Sequence, residues 1–266
     1  MVMPNFLIIG AAKAGTTSLY EYLKQHPQIW MSPVKEPNFF ALEGDTLDFR
    51  GPGDQDYIKS FSITKIEDYL NLFQGVENQL AIGEASPLYL YSPSAAERIR
   101  HYIPETKLIA ILRNPVERAY SQFLMFVRDG REPLSDFAEA FEQEETRMRN
   151  NWEWAWQYTH IGFYYVQLQR YFDKFDHSQI RVYLFEDFNT NPVGVLQNIF
   201  QFLGVNEEFI PDMSVKHNVS LIPKDKNPDE LMLRPEVRRR LVQLYQEDIF
   251  RLQDLLQRDL STWLKS

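Results

Sequence analysis

The chain's 266 residues, 44% hydrophobic and 24% charged, suffice to bury a large core as one large domain or two small ones. Its 28 basic and 37 acidic residues leave a net charge of −9, which argues against non-specific nucleic-acid binding as the main activity. The absence of cysteine excludes a disulfide framework, a thiolate metal site and a cysteine nucleophile; with no signal-peptide pattern and no apolar run of membrane-spanning length, the expectation is a soluble, cytoplasmic protein.

Phe6-Leu7-Ile8-Ile9 reads as an apolar strand that runs through Gly10-Ala11-Ala12-Lys13-Ala14-Gly15 into a helix opening at Thr16-Thr17-Ser18-Leu19. Gly10 and Gly15 permit tight turns and close backbone approach, and the three hydroxyl residues lie where a helix start attracts an anion. Lys13 adds a point charge. In the nucleotide-triphosphatase loop, G-x-x-x-x-G-K-[ST], a Lys follows the second glycine; here Thr16 holds that place. A shorter phosphate held without a metal therefore fits better than a triphosphate. The alternative is a strand, turn and helix whose small residues merely allow close packing.

Beyond Ser18 the helix continues to Gln25 and stops before His26-Pro27, because the residue before a proline is pushed out of the helical region. Ile29-Trp30-Met31 reads as a short strand. Pro33 and Pro37 forbid a regular helix across 32–40 and set Lys35 and Glu36 on a shaped loop. Residues 43–56 look like surface loop, 63–73 a helix closed by Gly75, Leu80 to Glu84 a buried strand leading to Ala85-Ser86-Pro87, and Ser94 to Tyr102 a helix. Lys107-Leu108-Ile109-Ala110-Ile111-Leu112 is the clearest buried strand. Arg113-Asn114-Pro115 follows it, with Asn114 as cap and Pro115 in the first turn of a helix reaching about Val127. Helices over 134–149 and 163–175, a strand at Ile180 to Phe185, a helix from Pro192 to Leu203 ended by Gly204, an extended loop over 211–235 and a helix from Glu236 to about Leu256 complete the pattern. This alternation predicts an α/β fold, a doubly wound, mainly parallel sheet with helices on both faces and a P-loop-like phosphate cradle, in a single domain over 1–266. In such sheets ligands bind at the carboxyl ends of strands, where the cradle, Glu84 to Pro87 and Arg113 all fall.

Arg113 leaves a strand end, and Ser121 lies about two turns into the next helix, so both can clasp a second phosphate. A surface ion pair for Arg113 and a hydroxyl bonded back to its own helix for Ser121 are the alternatives. Glu36, set between Lys35 and Pro37, suits a base that must sit within reach of the proton it takes, or is a solvated loop glutamate. Trp152, Trp154, Trp156 and Tyr158 either stack on a ligand or pack the helices. Arg238-Arg239-Arg240 reads as the solvated face of the last helix, and His101, His160 and His217 stand isolated in sequence.

Taken in order, Phe6 to Leu19, Lys35-Glu36-x-x-Phe39-Phe40 and Leu108-Ile109-Ala110-Ile111-Leu112-Arg113-Asn114-Pro115-x-x-Arg118-Ala119-Tyr120-Ser121 resemble the sulfotransferases that use 3′-phosphoadenosine 5′-phosphosulfate. The match is nearest the branch of heparan-sulfate amino- and hydroxyl-sulfotransferases and their bacterial relatives. Gly162-Phe163-Tyr164, Phe202-Leu203-Gly204-Val205 and Ser261-Thr262-Trp263-Leu264 extend it over nearly the whole chain. The resemblance implies that Lys13, Ala14, Gly15, Thr16, Thr17 and Ser18 hold the 5′-phosphosulfate, that Arg113 and Ser121 clasp the 3′-phosphate, and that Glu36 is the general base. It also implies sulfuryl transfer to a hydroxyl or amine, with Lys13 stabilising the leaving phosphate, adenosine 3′,5′-bisphosphate as product, and no metal.

Two departures narrow the implied acceptor. Many glycosaminoglycan-modifying members carry Lys after the Glu of the third strand, whereas this chain reads Glu84-Ala85, which weighs against a highly anionic sugar chain. Carbohydrate, lipid-like and small-metabolite acceptors remain open. Where those relatives have a basic, glycine-containing loop before the last helix, this chain has Lys216-His217-Asn218 and Ile222-Pro223-Lys224-Asp225-Lys226, so Lys216 and Lys224 are candidate phosphate contacts. A nucleotide kinase-like phosphoryl transferase would need Lys at position 16 and an acidic metal ligand. The remaining alternative is a non-catalytic module that binds adenosine bisphosphate and meets a partner through its aromatic surface.

Overall fold

The computed structural model describes residues 2–214 and 232–265. Five strands, β1 (Phe6–Gly10), β2 (Ile29–Met31), β3 (Ala81–Ala85), β4 (Lys107–Leu112) and β5 (Ile180–Leu184), form one sheet in the order β2-β3-β1-β4-β5, every neighbouring pair parallel. All of β1, and β4 from Leu108 onward, are buried, as continuous apolar strands in a sheet covered on both faces require. The chain builds β3 and β2 on one side of β1 and β4 and β5 on the other, so the order reverses between β1 and β4. That is where an open α/β sheet leaves a crevice for a ligand.

Contacts along the backbone divide the chain into two compact units. The first, Met1–Thr46, Ser60–Arg113 and Leu168–Asn218, holds the sheet. Its helices include Thr16–Leu23, Ile66–Asn71, Ala95–Tyr102 and Pro192–Leu203. Two short helices absent from the sequence pattern occur here as well: Leu88–Tyr91 follows β3, and Phe185–Thr190 follows β5 directly. Both are too short for a recognisable period. The loop over 32–40 likewise ends in a single helical turn, Phe39–Leu42.

Among the described residues, the second unit, Leu47–Lys59, Asn114–Gln167 and Val219–Ser266, is helical, with Pro115–Arg128 and Pro235–Leu256 its longest helices. Asn114 caps the former, its side chain accepting from the Val116 and Glu117 N–H groups, as its place before Pro115 predicts. The helix expected over 134–149 starts later, at Phe137, because Asp136 accepts from the Ala138 and Glu139 N–H groups and caps it there; it is also interrupted at Gln143, giving Phe137–Glu142 and Glu144–Arg149. Residues 43–56 are not all surface loop: Asp54 opens the helix Asp54–Lys59 and is fully buried. It accepts from the Gly51 and Glu153 N–H groups at 2.9 and 2.8 Å, from Trp156 Nε1 at 2.7 Å and from Arg131 at 2.6 Å. Tyr158 donates to Glu132 at 2.5 Å, and Arg147 forks onto the same carboxylate. Trp156 and Tyr158 are therefore packing residues with satisfied polar tips. Asp54→Ala leaves four donors in a dry site without their acceptor and should cost about 3 kcal/mol or more of unfolding free energy, read from the urea midpoint; an unchanged midpoint would contradict this network's role.

Candidate active site

The backbone leaving β1 is shaped before any side chain acts. Lys13 and Gly15 both adopt left-handed conformations, with φ of 66° and 91°, and Ala11 N–H bonds to Ile111 C=O of β4 at 2.7 Å. Gly10 tolerates no side chain: a Cβ there would sit 2.7 Å from Leu90. Gly15 is the N-cap of the helix Thr16–Leu23 and brings no capping side chain. The first helical hydrogen bond runs from Leu19 N–H to Gly15 C=O, so the N–H groups of Thr16, Thr17 and Ser18 precede it, in the turn where a helix presents donors to an anion.

Exposure sorts the cradle by role. Ala14 and Thr16 are buried, which leaves Ala14 only a backbone to offer and turns Thr16 inward. Lys13, Gly15, Thr17 and Ser18 keep part of their surface. Arg113, at the end of β4, donates from Nη1 to the Lys13 carbonyl at 3.2 Å and stacks its guanidinium over Phe185 at 4.9 Å. It thus braces the turn that carries the lysine. A cation, the part-exposed hydroxyls of Thr17 and Ser18, an arginine and a helix start make a donor set with no acidic member, which fits a phosphate or sulfate group. Ser121, buried on the helix Pro115–Arg128, belongs to the second unit. Lys216, Lys224, His217 and most of the loop expected over 211–235 lie outside the described residues.

Glu36 sits on the loop after β2, where it too is left-handed, with φ of 64°, followed by Asn38 at 54°. Its N–H donates to the Ala85 carbonyl at the end of β3 at 2.9 Å, and its carboxylate pairs with Lys35. About a third of the Glu36 side chain is exposed, so it can meet a group arriving from solvent. Because Ala85 pairs with Ile8 of β1, the Glu36 loop is tied to the end of the strand next to the one that carries the cradle. Among the described residues no group of three or more His, Asp or Glu side chains is placed to hold a metal ion.

A second carboxylate, which the sequence marks only by its strand-end position and its place in the family pattern, lies beneath that loop. Glu84, fully buried on β3, accepts from Ser86 Oγ at 2.8 Å and Tyr69 OH at 3.3 Å, with Tyr89 a further donor. Burial pushes its carboxyl up to about 7, against the downward pull of the three hydroxyls.

The match to known proteins decides the family: the model described as "Sulfotransferase family" covers residues 4–209. This chain belongs to the sulfotransferase family. A sulfotransferase from Alicyclobacillus acidocaldarius is similar in structure, with 40% identity, all of both chains covered and a TM-score of 0.89. The mouse sulfotransferase SULT7A1 complexed with PAP, at 14% identity, covers 92% of this chain and 84% of its own with a TM-score of 0.53, and shares the fold. Among curated proteins, the membrane-associated sulfotransferase kil1 of Dictyostelium discoideum is 25% identical over 97% of this chain and 66% of its own length. The bifunctional heparan sulfate N-deacetylase/N-sulfotransferase 4 of Mus musculus is 29% identical over 78% of this chain. The chain spans under a quarter of that second relative's length, 23%. No helix among the described residues is long and apolar enough to cross a membrane.

The raised Glu84 carboxyl has a consequence for stability. Between the ordinary carboxyl range and about 7, the folded sulfotransferase keeps a proton that the unfolded chain has released, so stability falls as pH rises through that window. Glu144 and Asp248, pushed by burial to about 7 and about 6, act with the same sign. Urea unfolding at about pH 5 and about pH 8 should show the parent losing roughly 3 kcal/mol relative to Glu84→Gln, in which the other two acids are common to both proteins; parallel pH dependences would contradict this.

Proposed function

We propose that this chain transfers a sulfuryl group from 3′-phosphoadenosine 5′-phosphosulfate to a hydroxyl or amine, releasing adenosine 3′,5′-bisphosphate, with residues 1–266 acting as one sulfotransferase domain. One observation carries this proposal. A lysine-bearing left-handed turn into a helix start, an arginine braced on that turn and a part-exposed carboxylate all lie at the carboxyl edge of one parallel sheet, on the segments that follow β1, β4 and β2.

Lys13, Ala14, Gly15, Thr16, Thr17 and Ser18 hold the 5′ end of the nucleotide through the helix start and the lysine. Arg113 and Ser121 take the 3′-phosphate, with Lys216 and Lys224 as further candidate contacts. When bound, the nucleotide supplies the activated sulfuryl group. Glu36 takes the proton from the acceptor hydroxyl or amine, and the Lys13 ammonium neutralises the negative charge that grows on the leaving phosphate oxygen. Lys35, paired with Glu36, directs that carboxylate. The acceptor is a carbohydrate, lipid-like molecule or small metabolite of low negative charge, since Ala85 stands where a lysine serves anionic sugar chains in relatives. A chain without cysteine fits a cytoplasmic compartment.

Calorimetry with adenosine 3′,5′-bisphosphate in the presence of chelator should show saturable, metal-independent binding that weakens roughly 10- to 100-fold in Arg113→Ala. A requirement for magnesium would instead favour the kinase-like alternative. In an acceptor screen with sulfur-labelled donor, Glu36→Gln should lower turnover by about two to four orders of magnitude, and Lys13→Ala should abolish transfer while the fold survives. An unchanged rate in Glu36→Gln removes the assigned base.

A further inference from the structure

Building on the assignment of Glu36 as the base, we infer that Glu84 is its positioning residue: the buried carboxylate holds two hydroxyls that in turn hold the backbone of the Glu36 loop. Ser86 Oγ donates to Glu84 at 2.8 Å and accepts from Asn38 N–H at 3.0 Å. Tyr89 OH donates to the same carboxylate and accepts from Phe40 N–H at 3.4 Å. Asn38 and Phe40 lie two and four residues beyond Glu36, on the far side of Pro37, and Glu36 N–H is fixed to the Ala85 carbonyl, next to Glu84 in the chain. Both ends of the turn that presents the base are thus tied to the end of β3. The turn needs such ties, because Glu36 and Asn38 are both left-handed without being glycine, a conformation that costs about 1 kcal/mol or more per residue.

The direction of each hydrogen bond depends on the charge of Glu84. As a carboxylate it is acceptor only, so the Ser86, Tyr89 and Tyr69 O–H groups all point toward it, and the Ser86 and Tyr89 lone pairs are left for the loop N–H groups. Once protonated, one of its oxygens becomes a donor, and where Ser86 or Tyr89 is the hydroxyl that accepts from it, that hydroxyl turns its own proton toward the loop N–H it held. The titratable groups acting on Glu84 are the phenols of Tyr69, Tyr89 and Tyr171 and the carboxylate of Glu36. Glu36 disfavours a second negative charge below it. The loop is therefore held best above about 7, where Glu84 is ionised.

Hydrogen exchange and turnover test this together. In the unliganded parent, protection of the Asn38 and Phe40 amides, corrected for intrinsic exchange, should fall about tenfold as pH drops through about 7. Glu84→Gln should lack that inflection, lose kcat about tenfold or more for turnover of labelled 3′-phosphoadenosine 5′-phosphosulfate with water or glucosamine as acceptor, and bind adenosine 3′,5′-bisphosphate within about twofold of the parent. Ser86→Ala and Tyr89→Phe keep the carboxylate and should deprotect Asn38 and Phe40 respectively, which carries the test if Glu84→Gln fails to fold. The same inflection in Glu84→Gln, or unaltered protection in all three variants, overturns the positioning role. Loss of turnover in Glu36→Gln beside full turnover in Glu84→Gln also overturns it and leaves the base assignment intact; full turnover in Glu36→Gln instead removes the base itself, and with it this role.

Discussion

The hydrogen-bond ladders around β1 do not stop where the strands end. Past the last paired residues, Ala11 N–H still reaches Ile111 of β4, Ser86 N–H reaches Ile8 of β1, Glu36 N–H reaches Ala85 of β3, and Ser32 N–H reaches Gly83. The segments that leave β1, β2 and β3 at the carboxyl edge of the sheet are therefore registered by main-chain bonds to the next strand over. Parallel strands make this possible, because all of them deliver their carboxyl ends to one edge. A cation, an arginine and a carboxylate from three separate parts of the chain are thereby delivered to the same edge of the sheet.

Main-chain registration leaves a second demand, since the loops must turn sharply to present their side chains. Lys13, Glu36 and Asn38 all take left-handed backbone conformations, and residues other than glycine hold these only where surrounding structure over-determines them. The Arg113 contact to the Lys13 carbonyl and the hydroxyls above Glu84 are such determinants. Glu84 itself would be cheaper as an apolar residue, because a buried carboxylate opposes folding once ionised. A strand end that could have been dry is instead polar beneath the proposed base, an arrangement in which local stability is given up for a fixed turn.

Much of this was legible in sequence, for identifiable reasons. β1 and β4 are unbroken apolar runs, and the glycine spacing, Lys13 and the hydroxyls follow directly on β1, so the cradle could be read from local pattern alone. Asn114-Pro115 announced its helix through capping chemistry, and the structure agrees. The helices Leu88–Tyr91 and Phe185–Thr190 were invisible because four to six residues cannot display a helical period. Asp54 looked like one more loop acid because its partners Arg131, Glu153 and Trp156 lie 77 to 102 residues away. The Glu84 network was hidden for the same reason: Tyr69 and Asn38 come to it from distant segments, and only the neighbours Ser86 and Tyr89 are close in sequence. Local chemistry shows in a sequence, whereas a buried polar cluster depends on contacts that only the folded chain makes.

The central claim is that the turn after β1 grips a nucleotide's phosphate while Glu36 faces the place where the acceptor arrives. A crystal structure of the complex with adenosine 3′,5′-bisphosphate tests it most directly. The 5′-phosphate is expected within hydrogen-bond distance of Lys13 and of the N–H groups that open the helix Thr16–Leu23, with the Glu36 carboxylate directed toward that phosphate. A nucleotide bound elsewhere, or a Glu36 side chain turned away from an occupied cradle, would contradict the account.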